Sequence, residues 1–117
     1  LLDVPCSGLG TLHKRPDLRW KQTPAKIKAI TQLQKELLQE TANWVKSGGI
    51  LVYATCTINL IENEAIIETF LAQNPAWKIV SPSLSWLNIY TTKTGALKVL
   101  PPDHEMDGFF MVKLQHN

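Results

Sequence analysis

Much of what this chain of 117 residues lacks is informative. No apolar run approaches the roughly 20 residues that a membrane-crossing helix requires, so no membrane partner is expected. The opening LLDVP has neither a basic n-region nor a small-residue cleavage site, nothing points to export, and the reading is cytoplasmic. Cysteine occurs only twice, as Cys6 and Cys56, with no C-x-x-C pair. A cytosolic chain that is 44 % hydrophobic does not need a disulfide staple, and a thiol redox role would make the pairing depend wholly on the fold. A metal would need more ligands than two distant cysteines with His13 and His104 in separate loops, so none is expected. Charge is sparse too: 12 basic against 10 acidic side chains give a net +2, which permits contact with nucleic acid without demanding it. There is also no G-x-G-x-x-G, since SGLG at 7–10 is too short to serve as a nucleotide loop.

What is present reads as a single α/β domain. LLDVP is a short buried strand with Asp3 near its end, and residues 6–23, CSGLGTLHKRPDLRWKQT, form a long loop without periodicity. Thr23 and Pro24 start a helix whose apolar stripe runs through Ile27, Ile30, Leu33, Leu37, Leu38, Thr41, Trp44 and Val45 until Gly48 and Gly49 end it. ILVYATC, residues 50–56, is a near-continuous apolar run suited to a sheet interior with both faces covered. Asn59 and Glu62 have capping-box spacing before a second helix carrying Ile61, Ala65, Ile66, Phe70 and Leu71, which stops at Asn74-Pro75. A short strand follows at 77–80, then a Ser-, Thr-, Pro- and Gly-rich stretch over 81–104 with one candidate strand at 96–100. GFFMVKL at 108–114 is the last strand, expected to be antiparallel because no helical pattern precedes it. Trp20, Trp44, Trp77 and Trp86 are assigned to packing, Glu62 and Glu64 to helix capping and exposed helix surface.

Cys6 and Cys56 each lie just past the carboxyl end of a predicted parallel strand, the rim where open α/β sheets place ligands. Unpaired N–H groups at such an end favour a thiolate, the nucleophilic form of cysteine, although a pair of small buried hydrophobes remains the bland alternative. In Asp3 the corresponding alternative is a strand-end or turn residue.

DVPCSG (3–8), YATCTI (53–58), ENE (62–64) and DGFFMVKL (107–114) resemble motifs four, six and eight of the RsmB/Sun family of RNA 5-methylcytosine methyltransferases. Ala54 and Thr57 stand where that family usually has serine, Val112 where it has alanine, and HKRPDLRW (13–20) is close to the loop of the bacterial enzymes that act on small-subunit ribosomal RNA. The resemblance implies that Cys56 adds to carbon 6 of cytosine, that Cys6 assists its release, and that Asp3 lies at the methionine end of S-adenosylmethionine. An acid buried there would keep its proton and could hydrogen-bond the base. Lys14, Arg15 and Arg19 are candidates to grip RNA phosphates.

The resemblance further implies a partial Rossmann-like methyltransferase sheet, strands 4-5-7-6 with flanking helices, in which residues 1–117 are the C-terminal half of the domain. The N-terminal half, with the glycine-rich cofactor turn, is then missing, and the isolated chain is expected to be inactive and open to dimerisation through its exposed edge strand. A non-catalytic RNA-binding or scaffold module is the alternative from another class, which loss of either cysteine would favour. A DNA cytosine enzyme would use the Pro-Cys thiol as nucleophile, and the second cysteine argues against it.

Overall fold

The computed structural model describes the chain from Leu1 to Asn117 apart from the side chains of Asp103 and His104, so the candidate ligand His104 lies outside the described residues. The elements in order are β1 (Leu2–Asp3), α1 (Leu18–Lys21), α2 (Pro24–Ala42), β2 (Ile50–Thr55), α3 (Glu64–Gln73), β3 (Trp77–Ile79), a 3-10 helix (Ser85–Tyr90), β4 (Leu97–Val99), α4 (Pro101–His104) and β5 (Phe109–His116). They build one sheet of order β1-β2-β5-β3, with β4 also paired to β5. This is the expected 4-5-7-6 arrangement. β1 and β2 are parallel, while β5 runs antiparallel to β2, β3 and β4.

The register explains which face is the core. Leu51, Tyr53 and Thr55 stand opposite Leu114, Val112 and Phe110, and all six are buried. Leu38 of α2 with Ile66, Ile67 and Phe70 of α3 close over them, and burying a side chain of this size contributes about 2 kcal/mol. The other face departs from the expectation of two covered sides. Ile50 and Lys113 are exposed there and Val52 and Met111 half-buried, because only the short 3-10 segment reaches across. Trp77 anchors the far end, edge-on to Phe70 at 5.6 Å and stacked on His116 at 4.8 Å, while His116 Nδ1 lies 2.9 Å from the Val45 carbonyl.

Helix α2 begins as its sequence predicts, with Thr23 Oγ1 accepting from the Lys26 N–H and Pro24 in the first turn. It ends at Ala42, before the glycine pair, and its buried stripe is Thr31, Gln34, Leu38 and Ala42. Leu33 and Trp44 are exposed, so the stripe read from apolar residues alone is rotated. The reason is Gln34, a polar residue drawn inward by polar partners described below. Of the four tryptophans only Trp77 packs in the core; Trp20, Trp44 and Trp86 are exposed. Helix α3 starts at Glu64, so Asn59 and Glu62 form a hydrogen-bonded turn before it and do not cap it, and Ile61 is exposed. Glu64 is not free surface either, since it pairs with Lys98. The loop after β1 contains the single turn α1, and 81–104 contains the 3-10 helix and α4 besides the expected strand. No helix among the described residues is long and apolar enough to cross a membrane.

Candidate active site

The parallel register sets Leu2 beside Tyr53 and Asp3 beside Ala54, and the Val4 N–H continues the ladder to the Ala54 carbonyl at 3.1 Å. Both strands therefore run out at the same rim, and the cysteines that follow them meet. Cys6 Sγ and Cys56 Sγ are 3.1 Å apart, both half-buried and both free thiols. The Cys56 carbonyl accepts from the Gly10 N–H at 3.0 Å, and the Gly10 carbonyl accepts from Gly108 N–H at 2.7 Å. This backbone crossing requires glycine: a Cβ on Gly10 would lie 2.3 Å from the Gly108 oxygen and 2.7 Å from the Cys56 oxygen. Three distant segments, CSGLG, TCT and DG, are thus locked together.

Behind the sulfurs lies a buried polar cluster that the sequence reading did not foresee. The Glu62 carboxylate is fully buried and accepts from the Ser7 N–H (2.8 Å), Ser7 Oγ (2.6 Å), Asn59 Nδ2 (3.1 Å), Gln34 Nε2 (3.2 Å) and Thr57 Oγ1 (3.3 Å). Gln34 Nε2 also donates to the Pro5 carbonyl, and Tyr53 Oη to the Glu62 carbonyl. Asn63 joins in from the start of α3, its Oδ1 accepting from Thr55 Oγ1 and its Nδ2 donating to the Thr57 carbonyl. Buried polar groups are tolerable only when so satisfied. A signal was present: Gln34 sits four residues before Leu38 on the buried face of α2, and T-C-T with N-x-x-E supplies donors and an acceptor within one turn.

Burial, followed by the hydrogen bond to Cys56, pushes the Cys6 thiol from 9.0 up to about 12, contrary to the expectation that a strand end would favour its thiolate. Burial and the charge of Glu62 also push the Tyr53 phenol up. Asp3 is exposed on the sheet's edge strand, contrary to the buried acid expected there. Lys14, Arg15 and Arg19 are exposed as expected, and Lys14 with His13 grips Asp107 at 2.8 and 2.9 Å. The Lys14 ammonium holds the Asp107 carboxyl below its usual range. The Gln22 amide donates to the Ser7 carbonyl, tying the end of α1 to the Cys6 loop. Among the described residues no group of three His, Cys, Asp or Glu could hold a metal ion.

The sequence of residues 1–115 matches the family described as 16S rRNA methyltransferase RsmB/F. The chain belongs to that family. A Synechocystis protein named probable ribosomal RNA small subunit methyltransferase B is 51 % identical over 98 % of this chain and 26 % of its own length. Among solved structures, that of PH0851 superposes with a TM-score of 0.88 at 40 % identity, covering 97 % of this chain and 25 % of that one. NSun6 from Pyrococcus horikoshii, solved with SFG, gives a TM-score of 0.82 at 29 % identity over 98 % and 29 %. The RsmB/F chain therefore spans about a quarter of the length of the curated relatives it matches. Cys6 and Cys56, singled out from sequence, are brought together; Asp3 shares their rim without touching either in any described bond.

Proposed function

We propose that these residues carry the base-modifying wall of an RNA 5-methylcytosine methyltransferase that acts on small-subunit ribosomal RNA. The observation that carries the reading is the pair of free sulfurs 3.1 Å apart at the common end of two parallel strands. Carbon 5 of cytosine is too weak a nucleophile to take a methyl group unaided, and a thiolate added at carbon 6 makes it one. Cys56 is that nucleophile. With Cys6 holding its proton up to about pH 12, the S–H of Cys6 donates to the Cys56 sulfur, which stabilises the thiolate before addition and again on departure. In the final step carbon 5 loses its proton to solvent, the C–H electrons restore the double bond between carbons 5 and 6, and the electrons of the C–S bond return to Cys56. S-adenosylmethionine supplies the electrophilic methyl group when bound.

The chemistry of Asp3, an open carboxylate at the end of an edge strand, suits a hydrogen-bond acceptor for the methionine end of that cofactor or for the base. The remaining cofactor contacts belong to sequence outside these 117 residues, and the chain by itself neither binds S-adenosylmethionine nor methylates RNA. Its free β1 edge receives the neighbouring strands of the domain or, in isolation, a second copy. The target cytosine must be unpaired or turned out of its stack to meet the sulfurs, and Arg15 and Arg19 are placed on the exposed loop to hold flanking phosphates.

The test uses the full-length enzyme with a small-subunit rRNA transcript. Cys6→Ala should accumulate a covalent RNA adduct on a denaturing gel, and Cys56→Ala should lose both adduct and methylation. No adduct in Cys6→Ala, or an adduct that persists in Cys56→Ala, would falsify the assignment. Micromolar cofactor binding by the 117-residue chain in calorimetry would contradict its incompleteness.

A further inference from the structure

We infer that Glu62 is a positioning residue that sets the separation of the two sulfurs and thereby the rate at which the RNA adduct is released. The inference rests on the methyl-transfer reading above. Glu62 touches neither sulfur in any described bond. Its carboxylate instead joins Ser7, the residue after Cys6, to Thr57, the residue after Cys56, and a Ser7 Oγ to Thr57 Oγ1 contact of 2.9 Å closes the triangle. Ser7, Thr57 and Glu62 are all fully or almost fully buried, so water cannot substitute for a lost partner.

The chemistry of the five partners explains why a carboxylate is needed. The backbone N–H of Ser7, the amides of Gln34 and Asn59 and the Ser7 hydroxyl direct hydrogens at it, and the single hydrogen of Thr57 Oγ1 lies between the carboxylate at 3.3 Å and Ser7 Oγ at 2.9 Å. A carboxylate only accepts, so it can satisfy every one. A glutamine of the same shape must point its own NH2 at a donor, which separates the two loops. The Cys6 S–H steadies the Cys56 thiolate before addition, where it does not take part in the new bond, whereas on release it must meet the sulfur as charge returns to it. A change in sulfur spacing therefore slows release more than addition, and the covalent adduct builds up. A role confined to stability would lower the yield of folded protein and leave the adduct fraction per folded molecule unchanged.

The experiment measures the adduct fraction per folded molecule in the full-length enzyme with a small-subunit rRNA transcript, for wild type, Cys6→Ala, Glu62→Gln, Thr57→Val and Thr57→Ser. Glu62→Gln should raise the adduct roughly tenfold, the rate effect of about one misplaced hydrogen bond. Thr57→Val, which keeps the shape and loses the hydroxyl, should move the same way by less, and Thr57→Ser should behave as wild type. An adduct in Cys6→Ala with none in Glu62→Gln or Thr57→Val overturns the role of Glu62 and leaves the reaction scheme standing. Absence of adduct in Cys6→Ala overturns the scheme and this inference with it. Should Glu62→Gln not fold, Thr57→Val against Thr57→Ser decides the matter: equal adduct in the two refutes the inference.

Discussion

The loop after β1 and the turn after β2 each present one cysteine to the same rim, yet they are built on opposite principles. Residues 5–23 are long and, beyond the buried Ser7, Gly8 and Gly10, largely wet: His13, Lys14, Arg15, Arg19 and Trp20 are exposed, and the ion pairs there are solvent-screened. Residues 56–63 are short and partly dry, with Thr57, Glu62 and Asn63 inaccessible. The first offers exposed basic side chains, the second a buried hydrogen-bonded geometry. Burial makes the Cys6 thiol a reluctant acid, which suits the proton-donor role proposed for it beside Cys56. Equivalent position on a sheet does not confer equivalent chemistry.

The sharpest way to break that pairing of wet and dry loops is Gly10→Ala. With its Cβ forced against the Gly108 and Cys56 carbonyls, it should cost about 3 kcal/mol in urea denaturation. Gly48→Ala meets nothing within 4 Å and should cost only about 1 kcal/mol, for its left-handed backbone at φ 78. Next, Gln34→Ala withdraws a donor from both Glu62 and the Pro5 carbonyl, with an expected loss of about 2 kcal/mol by the same measurement. Alkaline titration then reports on the burial of the Cys6 thiol. Between pH 9 and about pH 12 an unfolded Cys6 ionises while the folded one keeps its proton, so this contribution to stability is whole below pH 9 and declines as pH rises through that window. Melting temperatures of Cys6→Ser should lose that part of the decline and retain the part due to Tyr53, whose phenol is also pushed up. The smallest effect is on the wet side. Lys14→Ala removes an exposed ion pair and should change stability by less than about 0.5 kcal/mol. RNA binding by the full-length protein should nonetheless show a salt slope reduced by about one if Lys14 contacts phosphate.

The sheet was legible because its strands carry their own signal: residues 50–55 and 109–112 are apolar, β-branched or aromatic, and each run is preceded by glycine. The sulfur pair was legible for the same reason, since two parallel strands of known end points fix where the next residues go. The support behind it was not. Hydrophobic periodicity counts Gln34 and Glu62 as outward-facing, and only their mutual satisfaction, across residues far apart in sequence, makes burial favourable. The same blindness turned the reading of α2 toward Leu33 and Trp44. The burial expected of Asp3 is absent for a different reason: its strand lies at the sheet edge, where none of the described residues covers it.

The crossing of Gly10 and Gly108 ties almost the first residues of the chain to almost the last. During synthesis, which runs from the N-terminal end, Cys6 and Cys56 are both made before Gly108 is added. Their common geometry therefore waits for Gly108, and a translation product that stops short of it would carry both thiols without the crossing that holds their loops together.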